Sequence, residues 1–152
     1  MTETMTTILL LSGPNLNLLG EREPETYGRA SLDDLVAIAR DTAAVHGHAL
    51  EHLQSNHEGV LVDAIQGARG RCGAIVVNPG AFTHYAYVLA DALAAFDGVK
   101  IELHLSNVHA RESWRRSSVV GPYVTGTIAG FGATGYRLAI EAVVAALAGE
   151  GR

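Results

Sequence analysis

The chain has 152 residues and a mass of 16.0 kDa, with 48% hydrophobic and 18% charged residues, which suits one globular domain with a real core. A domain of this size buries roughly 68–70% of its unfolded surface and needs no disulfide or structural metal, and the lone Cys72 can form no internal bridge, which suits a reducing compartment. Sixteen acidic against eleven basic residues give a formal charge of −5, with no basic cluster beyond Arg111, Arg115 and Arg116, which argues against a nucleic-acid partner.

Met1-Thr2-Glu3-Thr4 is acidic and precedes no secretory apolar region, so the sequence reads as cytoplasmic. Residues 1–6 are expected as a disordered tail on a single domain spanning 1–152. The longest aliphatic run, Ile8-Leu9-Leu10-Leu11, falls far short of the roughly 20 residues that cross a membrane. It fits a first strand over Thr7–Leu11, apolar almost throughout, as a parallel strand covered on both faces should be. The segment Gly13–Ala30 that follows is long and irregular, and such loops in compact domains are usually functional. In it Arg22 stands five residues before Tyr27. A nearby guanidinium favours phenolate over phenol and would let Tyr27 act as a base; a tyrosine packed on an arginine explains the same pair.

Ser31–His46 is the best-marked helix, with Ser31 as N-cap, Asp34 three residues on and Gly47 as the stop. A strand over Ala49–Gln54, a short helix over Val60–Ala68 stopped by Gly70, and an apolar strand over Ala74–Asn78 come next. The following helix is placed at Thr83–Phe96, with Thr83 as its cap. On it His84 and Asp91, seven residues apart, share a face, with His84 in a first turn that favours anionic or hydroxyl-bearing ligands. A solvated helix face explains that spacing equally well.

The fourth strand is placed at Lys100–Leu105. Glu102 and His104, two apart, project to one face, where the carboxylate can fix the imidazole tautomer and make His104 a general acid or base. A strand histidine satisfied by its neighbour fits as well. Lys100 is the only lysine beside ten arginines, so Schiff-base or Walker-type chemistry must use it or be absent. In the polar segment Ser106–Tyr123, Arg111 and Arg115 are four apart and could share a face of a short helical turn, offering a guanidinium fork to a carboxylate. A strand over Val124–Ala129 and a helix over Thr134–Leu147, with Leu138, Ala142, Val143 and Ala146 on one stripe, end the chain. Between them, Gly130-Phe131-Gly132-Ala133-Thr134-Gly135 matches GxGxxG. No strand with an acidic ribose ligand follows it, so these glycines are read as a tight turn with close helix packing. The seven histidines include no HExxH and no Cys-His spacing, which argues against a metal site.

Five strands alternating with about five helices fit a flavodoxin-like α/β fold: a doubly wound five-stranded parallel sheet, order 2-1-3-4-5, with helices on both faces. Ligands bind such sheets beyond the carboxyl ends of the strands. Asn15, Asn78-Pro79-Gly80 and His104 to Asn107 all stand there.

These residues also carry a resemblance. Ser12-Gly13-Pro14-Asn15-Leu16-Asn17-Leu18-Leu19-Gly20 with Arg22-Glu23-Pro24 and Tyr27-Gly28 resembles the N-terminal signature of type II 3-dehydroquinate dehydratases. The likeness continues in Asn78-Pro79-Gly80-Ala81-Phe82-Thr83-His84-Tyr85, in Glu102-Leu103-His104-Leu105-Ser106-Asn107-Val108-His109-Ala110-Arg111-Glu112, and in Arg115-Arg116 with Gly126 and Gly130. It covers the chain from about Ile8 to Ala148 in order, with Trp114 where phenylalanine is usual and Ser117 where histidine is common.

The resemblance implies a lyase that dehydrates 3-dehydroquinate to 3-dehydroshikimate, a reaction used both in the shikimate pathway of aromatic amino acid biosynthesis and in quinate breakdown, and the residues do not choose between the two. It implies anti elimination through an enolate, with no cofactor and no metal. Tyr27 matches the family's base, Arg22 the residue that keeps the phenolate charged, His104 the acid, Glu102 its orienting partner, and Asn15 the residue that holds a water on the enolate. Asn78, His84, Asp91, the Leu105–Ser106 backbone and Arg115 match contacts to the anionic substrate, with Arg111 a further candidate for its carboxylate. A homo-oligomer, a dodecamer of trimers, and closure of the Gly20–Gly28 loop as a lid are implied as well. From residue patterns alone the competing reading is a non-catalytic module that binds a phosphate or nucleotide. Against it, Gly13-Pro14-Asn15 after the first strand lacks one backbone donor.

Overall fold

Strand β3 (Ala74–Asn78) is buried at all five positions, and a strand apolar on both sides can only lie between covered neighbours. It accordingly occupies the centre of a five-stranded sheet in the computed structural model, which describes residues 4–149. β1 (Thr7–Ser12) and β4 (Val99–His104) flank it, while the more exposed β2 (Ala49–Gln54) and β5 (Gly126–Ala129) form the edges. All four pairings are parallel, in the order 2-1-3-4-5, and the fold is flavodoxin-like.

Alternation along the strands divides the core in two. Ile8 and Leu10 of β1 join Val76, Ile101 and Leu103 on one face, under α2 (Leu32–Val45) and α5 (Thr134–Leu147). Leu9 and Leu11 join Ile75 and Val77 on the other, under α3 (Glu58–Ala68) and α4 (Tyr87–Ala94). Truncating a fully buried member of either layer, such as Leu61 or Ile140, costs about 2–5 kcal/mol. The remaining helix, α1, is the single turn Pro24–Tyr27 inside the segment expected to be irregular. No helix among the described residues is long and apolar enough to cross a membrane.

The local signals succeed where the chain's own backbone answers them. Ser31 accepts from the Asp34 amide and Asp34 from the Ser31 amide, the capping box expected for α2. In the GxGxxG run, Gly130 and Gly132 adopt φ of 97° and 57°, and a Cβ on Gly135 would lie 3.1 Å from Leu103, so the turn and close-packing reading holds. Strand ends move by one or two residues, and α3 begins at Glu58 rather than Val60.

Four expectations are corrected. Thr83 does not open a helix: Gly80–His84 is a 3-10 segment, α4 begins at Tyr87, and the Thr83 hydroxyl is used elsewhere. His84 and Asp91 therefore do not share a helix. Arg111 and Arg115 do not share a turn either, because the chain breaks between the 3-10 segments Val108–Ala110 and Ser113–Arg116. On α5, Leu138 and Ala142 are only half-buried, and the buried stripe runs through Tyr136, Ala139, Ile140 and Val143. The first three residues of the expected 1–6 tail lie outside the described residues. At its end, the Thr6 amide donates to His48 Nδ1 at 3.1 Å.

Candidate active site

Beyond the carboxyl ends of β1, β3 and β4 the chain leaves a recess lined by Asn15, Arg22, Tyr27, Asn78, His84 and His104. Leu105, Ser106, Arg111 and Arg115 line it as well. Ten of the twelve candidates thus converge, although their segments are spread over more than half of the sequence. Glu102 stands directly against His104, and Asp91 lies elsewhere: on α4, in a depression shared with Val62, Gln66 and Arg69.

The floor of the recess is set by close backbone packing of the turns after β1 and β3. The Gly13 amide donates to the Asn78 carbonyl at 2.8 Å, and a Cβ on Gly13 would stand 2.4 Å from the Pro79 oxygen, so only glycine fits. Asn15 follows in the left-handed region at φ 69°, with its amide donating to Asn56 Oδ1 at 3.0 Å. Asn78 is buried and doubly held. Its Oδ1 accepts from the Gly80 amide at 3.2 Å, which fixes the orientation of the side-chain amide, and its Nδ2 donates to Tyr136 Oη at 3.2 Å. Tyr136 is wholly buried, which pushes its hydroxyl up to about 12 despite the bond from Asn78, so it serves as a fixed neutral partner.

Tyr27 ends α1, whose preceding residue Glu23 is held at φ 41°, again left-handed. Two guanidiniums approach the ring. The carbons of Arg22 and Arg111 each lie 5.0 Å from its centroid, but only Arg111 reaches the phenolic oxygen, donating from Nη2 at 2.8 Å. Arg111 Nη1 donates to Ser106 Oγ at 3.0 Å, so one side chain ties α1 to the segment after β4. Sequence proximity pointed to Arg22 as the charge on Tyr27; the direct contact belongs to Arg111, 84 residues away. Arg115 is committed differently, with Nε donating to Glu112 at 2.6 Å and its guanidinium carbon 4.1 Å from the Trp114 ring centroid.

On the other side, His104 and Glu102 are only 7% and 2% exposed. Glu102 Oε2 receives His104 Nε2 at 2.6 Å and Thr83 Oγ1 at 2.5 Å, while Ser118 Oγ donates to Oε1 at 2.9 Å. Burial pushes the Glu102 carboxyl up, but the bonds from His104, Thr83 and Ser118 outweigh it and hold the group below the ordinary carboxylate range. A carboxylate can only accept, so Nε2 of His104 carries a hydrogen and Nδ1 is left for chemistry. His84 is fixed in the opposite sense. Its Nδ1 donates to the Ser117 carbonyl at 2.6 Å, burial lowers its proton affinity, and neutral Nε2 becomes an acceptor. Lys100, near the start of β4, donates to the carbonyls of Leu93 at 2.9 Å and Phe96 at 2.5 Å and does not line the recess.

Thr83, Ser118 and Tyr136 escaped the sequence reading. Thr83 looked like a helix cap, Ser118 lay in an unstructured polar run, and Tyr136 was hidden on an apolar stripe, where a polar-tipped ring is the only hint. Among the described residues no group of three or more His, Cys, Asp or Glu side chains could hold a metal ion.

Comparison with known proteins places this arrangement. Residues 6–144 match the family model described as "Dehydroquinase class II". A "Catabolic 3-dehydroquinase" of Penicillium rubens is 53% identical over 136 residues, covering 90% of this chain and 88% of that protein. A "3-dehydroquinate dehydratase" of Halalkalibacterium halodurans is 49% identical over 140 residues, covering 92% and 97%. The crystal structure of a type II dehydroquinase from Butyrivibrio crossotus superposes with a TM-score of 0.88 at 44% identity, covering 91% of this chain and 97% of that one. The chain belongs to the class II dehydroquinase family.

Proposed function

We propose that this chain dehydrates 3-dehydroquinate to 3-dehydroshikimate, a reaction common to shikimate formation and quinate breakdown. The observation that carries the reading is that one recess is lined by a tyrosine whose oxygen accepts from a guanidinium and by a histidine backed by a buried carboxylate. These are a base and an acid facing one substrate. In this reading Tyr27, with Arg111 bonded to its oxygen and Arg22 beside its ring, acts as the phenolate base and removes the proton from the carbon next to the ketone. The resulting enolate is met by a water held by Asn15. His104 then gives its Nδ1 proton to the departing hydroxyl on the opposite side. The C–O bond breaks, the ring double bond forms, and water leaves, giving anti elimination. The route uses these side chains alone and calls on no cofactor or metal.

Substrate placement follows from what each group has left to offer. With Arg111 spent on Tyr27 and Ser106, the substrate carboxylate falls to the Nη atoms of Arg115. Neutral His84 accepts from a ring hydroxyl through Nε2, while the second Nδ2 hydrogen of Asn78 and the Leu105–Ser106 backbone donate to others. Asp91 lines no part of the recess of its own chain, so its expected contact with substrate requires a second copy to deliver it. This suits the homo-oligomer, a dodecamer of trimers in the cytoplasm, that we propose. Closure of the Gly20–Gly28 segment would exclude water from the developing charge.

The test is direct. Purified protein given 3-dehydroquinate should produce a rise in enone absorbance, unchanged by a chelator. No rise, or a rise that a chelator abolishes, overturns the reading. For Asp91, mixing inactive Asp91→Asn and His104→Ala chains should restore partial turnover through hybrid sites; failure to restore any removes Asp91 from the site.

A further inference from the structure

Glu102 is a buried anion to which no arginine or lysine among the described residues is bonded, which makes its stabilisation a question of its own. Three donors converge on the carboxylate, and two of them are hydroxyls from other parts of the chain. Thr83 comes from the 3-10 segment after β3, and Ser118 from the stretch before β5. Thr83 spends its single hydrogen on Oε2 at 2.5 Å; Ser118 Oγ accepts from the Gly121 amide at 2.9 Å and faces Glu102 Oε1 at 2.9 Å and Thr83 Oγ1 at 3.1 Å, the carboxylate being the nearer acceptor for its hydrogen. The backbone braces the pair, the Val119 amide donating to the Thr83 carbonyl at 2.7 Å.

We infer that Thr83 and Ser118 are positioning residues for the acid step: their hydroxyls keep Glu102 anionic, so the proton between Glu102 and His104 stays on the imidazole. The inference rests on the proposed dehydration. Without the two hydroxyls, the carboxylate binds a proton more tightly. The Nε2 hydrogen can then pass to Glu102, and the positive charge that makes His104 an acid is lost. With them, His104 holds Nε2–H toward Glu102 and a second hydrogen on Nδ1. In the elimination the Nδ1–H bond breaks and its electron pair stays on the ring. The proton joins the departing oxygen as the C–O bond breaks. A neutral imidazole, still bonded to Glu102, is left.

The charged and titratable groups around Glu102 act on the pair but do not replace the hydroxyls. His104 shares its strand. His84 lies close enough to feel the Glu102 charge, and His109, Arg115 and Arg116 line a neighbouring cavity that Glu102 also reaches. None of these five side chains except His104 bonds to the carboxylate.

The experiment is a pH profile of kcat with 3-dehydroquinate for the natural chain, Thr83→Val, Thr83→Ser and Ser118→Ala. Thr83→Val should move the acid limb upward by about one pH unit and lower kcat at the optimum about tenfold, with KM nearly unchanged. Ser118→Ala should move it in the same direction, and Thr83→Ser, which keeps the donor, should restore the natural profile. An unmoved limb in both Thr83→Val and Ser118→Ala, or a Thr83→Ser chain that behaves like Thr83→Val, overturns the inference. If Thr83→Val does not fold, Ser118→Ala decides it alone. NMR of ring-15N-labelled histidine reads the same pair without substrate: the acid-side transition that Glu102 imposes on the His104 signals should rise in pH in either donor-deleting variant. The two failures are therefore distinguishable, since inactivity toward 3-dehydroquinate would sink the proposed function and an unmoved His104 transition would sink the role of the hydroxyls.

Discussion

The two sides of the recess surround their central side chain by opposite means. Tyr27 stands on a one-turn helix in a long connecting segment, half-buried, with two guanidiniums as company. His104 stands on a covered strand, buried, with a carboxylate and two hydroxyls behind it and no guanidinium among the described residues bonded to that carboxylate. Tyr27, the base of the proposed reaction, is surrounded by positive charge near solvent, where arginine heads stay hydrated. His104, the acid of the proposed reaction, is paired with a carboxylate in the interior, where a buried charge needs its hydrogen bonds. The difference teaches that the looser side of the site is organised by long charged side chains, and the packed side by short neutral ones.

Four experiments break or sharpen that contrast, in decreasing order of effect. Tyr27→Phe and His104→Ala should each lower kcat by about 10²–10⁴-fold while substrate binding persists, measured by steady-state kinetics and equilibrium binding. Normal turnover in either would remove one side altogether. On the base side, Arg111→Ala should cost about 10–100-fold in kcat/KM and Arg22→Ala less, because only Arg111 bonds the phenolic oxygen. Equal losses would mean that charge near the ring, not the bond, is what counts. On the acid side, Glu102 has its proton affinity lowered on folding. Its contribution to stability is present above the unfolded carboxyl value and lost as pH falls toward the lower folded one. Glu102→Gln should therefore flatten the fall in thermal stability on acidification, followed by melting curves. Smallest, Lys100→Met should leave turnover unchanged and cost about 1 kcal/mol, read from denaturant unfolding, since Lys100 serves carbonyls at the end of α4 and the Asp97 charge beside it. Loss of turnover there would return the lysine to the chemistry.

How far the sequence carried this picture follows the range of the interactions. The central strands were legible because β1 and β3 are apolar on both faces, and α2 because its capping box lies within four residues. The Glu102–His104 pair was legible from strand periodicity, its partners being two apart. Thr83 failed because a local cap rule was outweighed by a carboxylate 19 residues further on. The Arg111–Tyr27 bond spans 84 residues and leaves no periodic trace, so proximity in sequence favoured Arg22 instead. Asp91 was placed with His84 by helical spacing, and the absence of a helix between residues 84 and 87 undoes that spacing.

The Arg111 side chain has a consequence for inheritance. It is encoded beside the Glu102–His104 motif but bonds Tyr27, and through Ser106 it fastens the two segments together. A graft of the first third of this chain onto another parallel sheet would bring its tyrosine without the guanidinium that touches it, and a graft of the later motif would bring that guanidinium with nothing to activate. Half of this constellation is of no use to a recipient, so recombination can move it between scaffolds only whole.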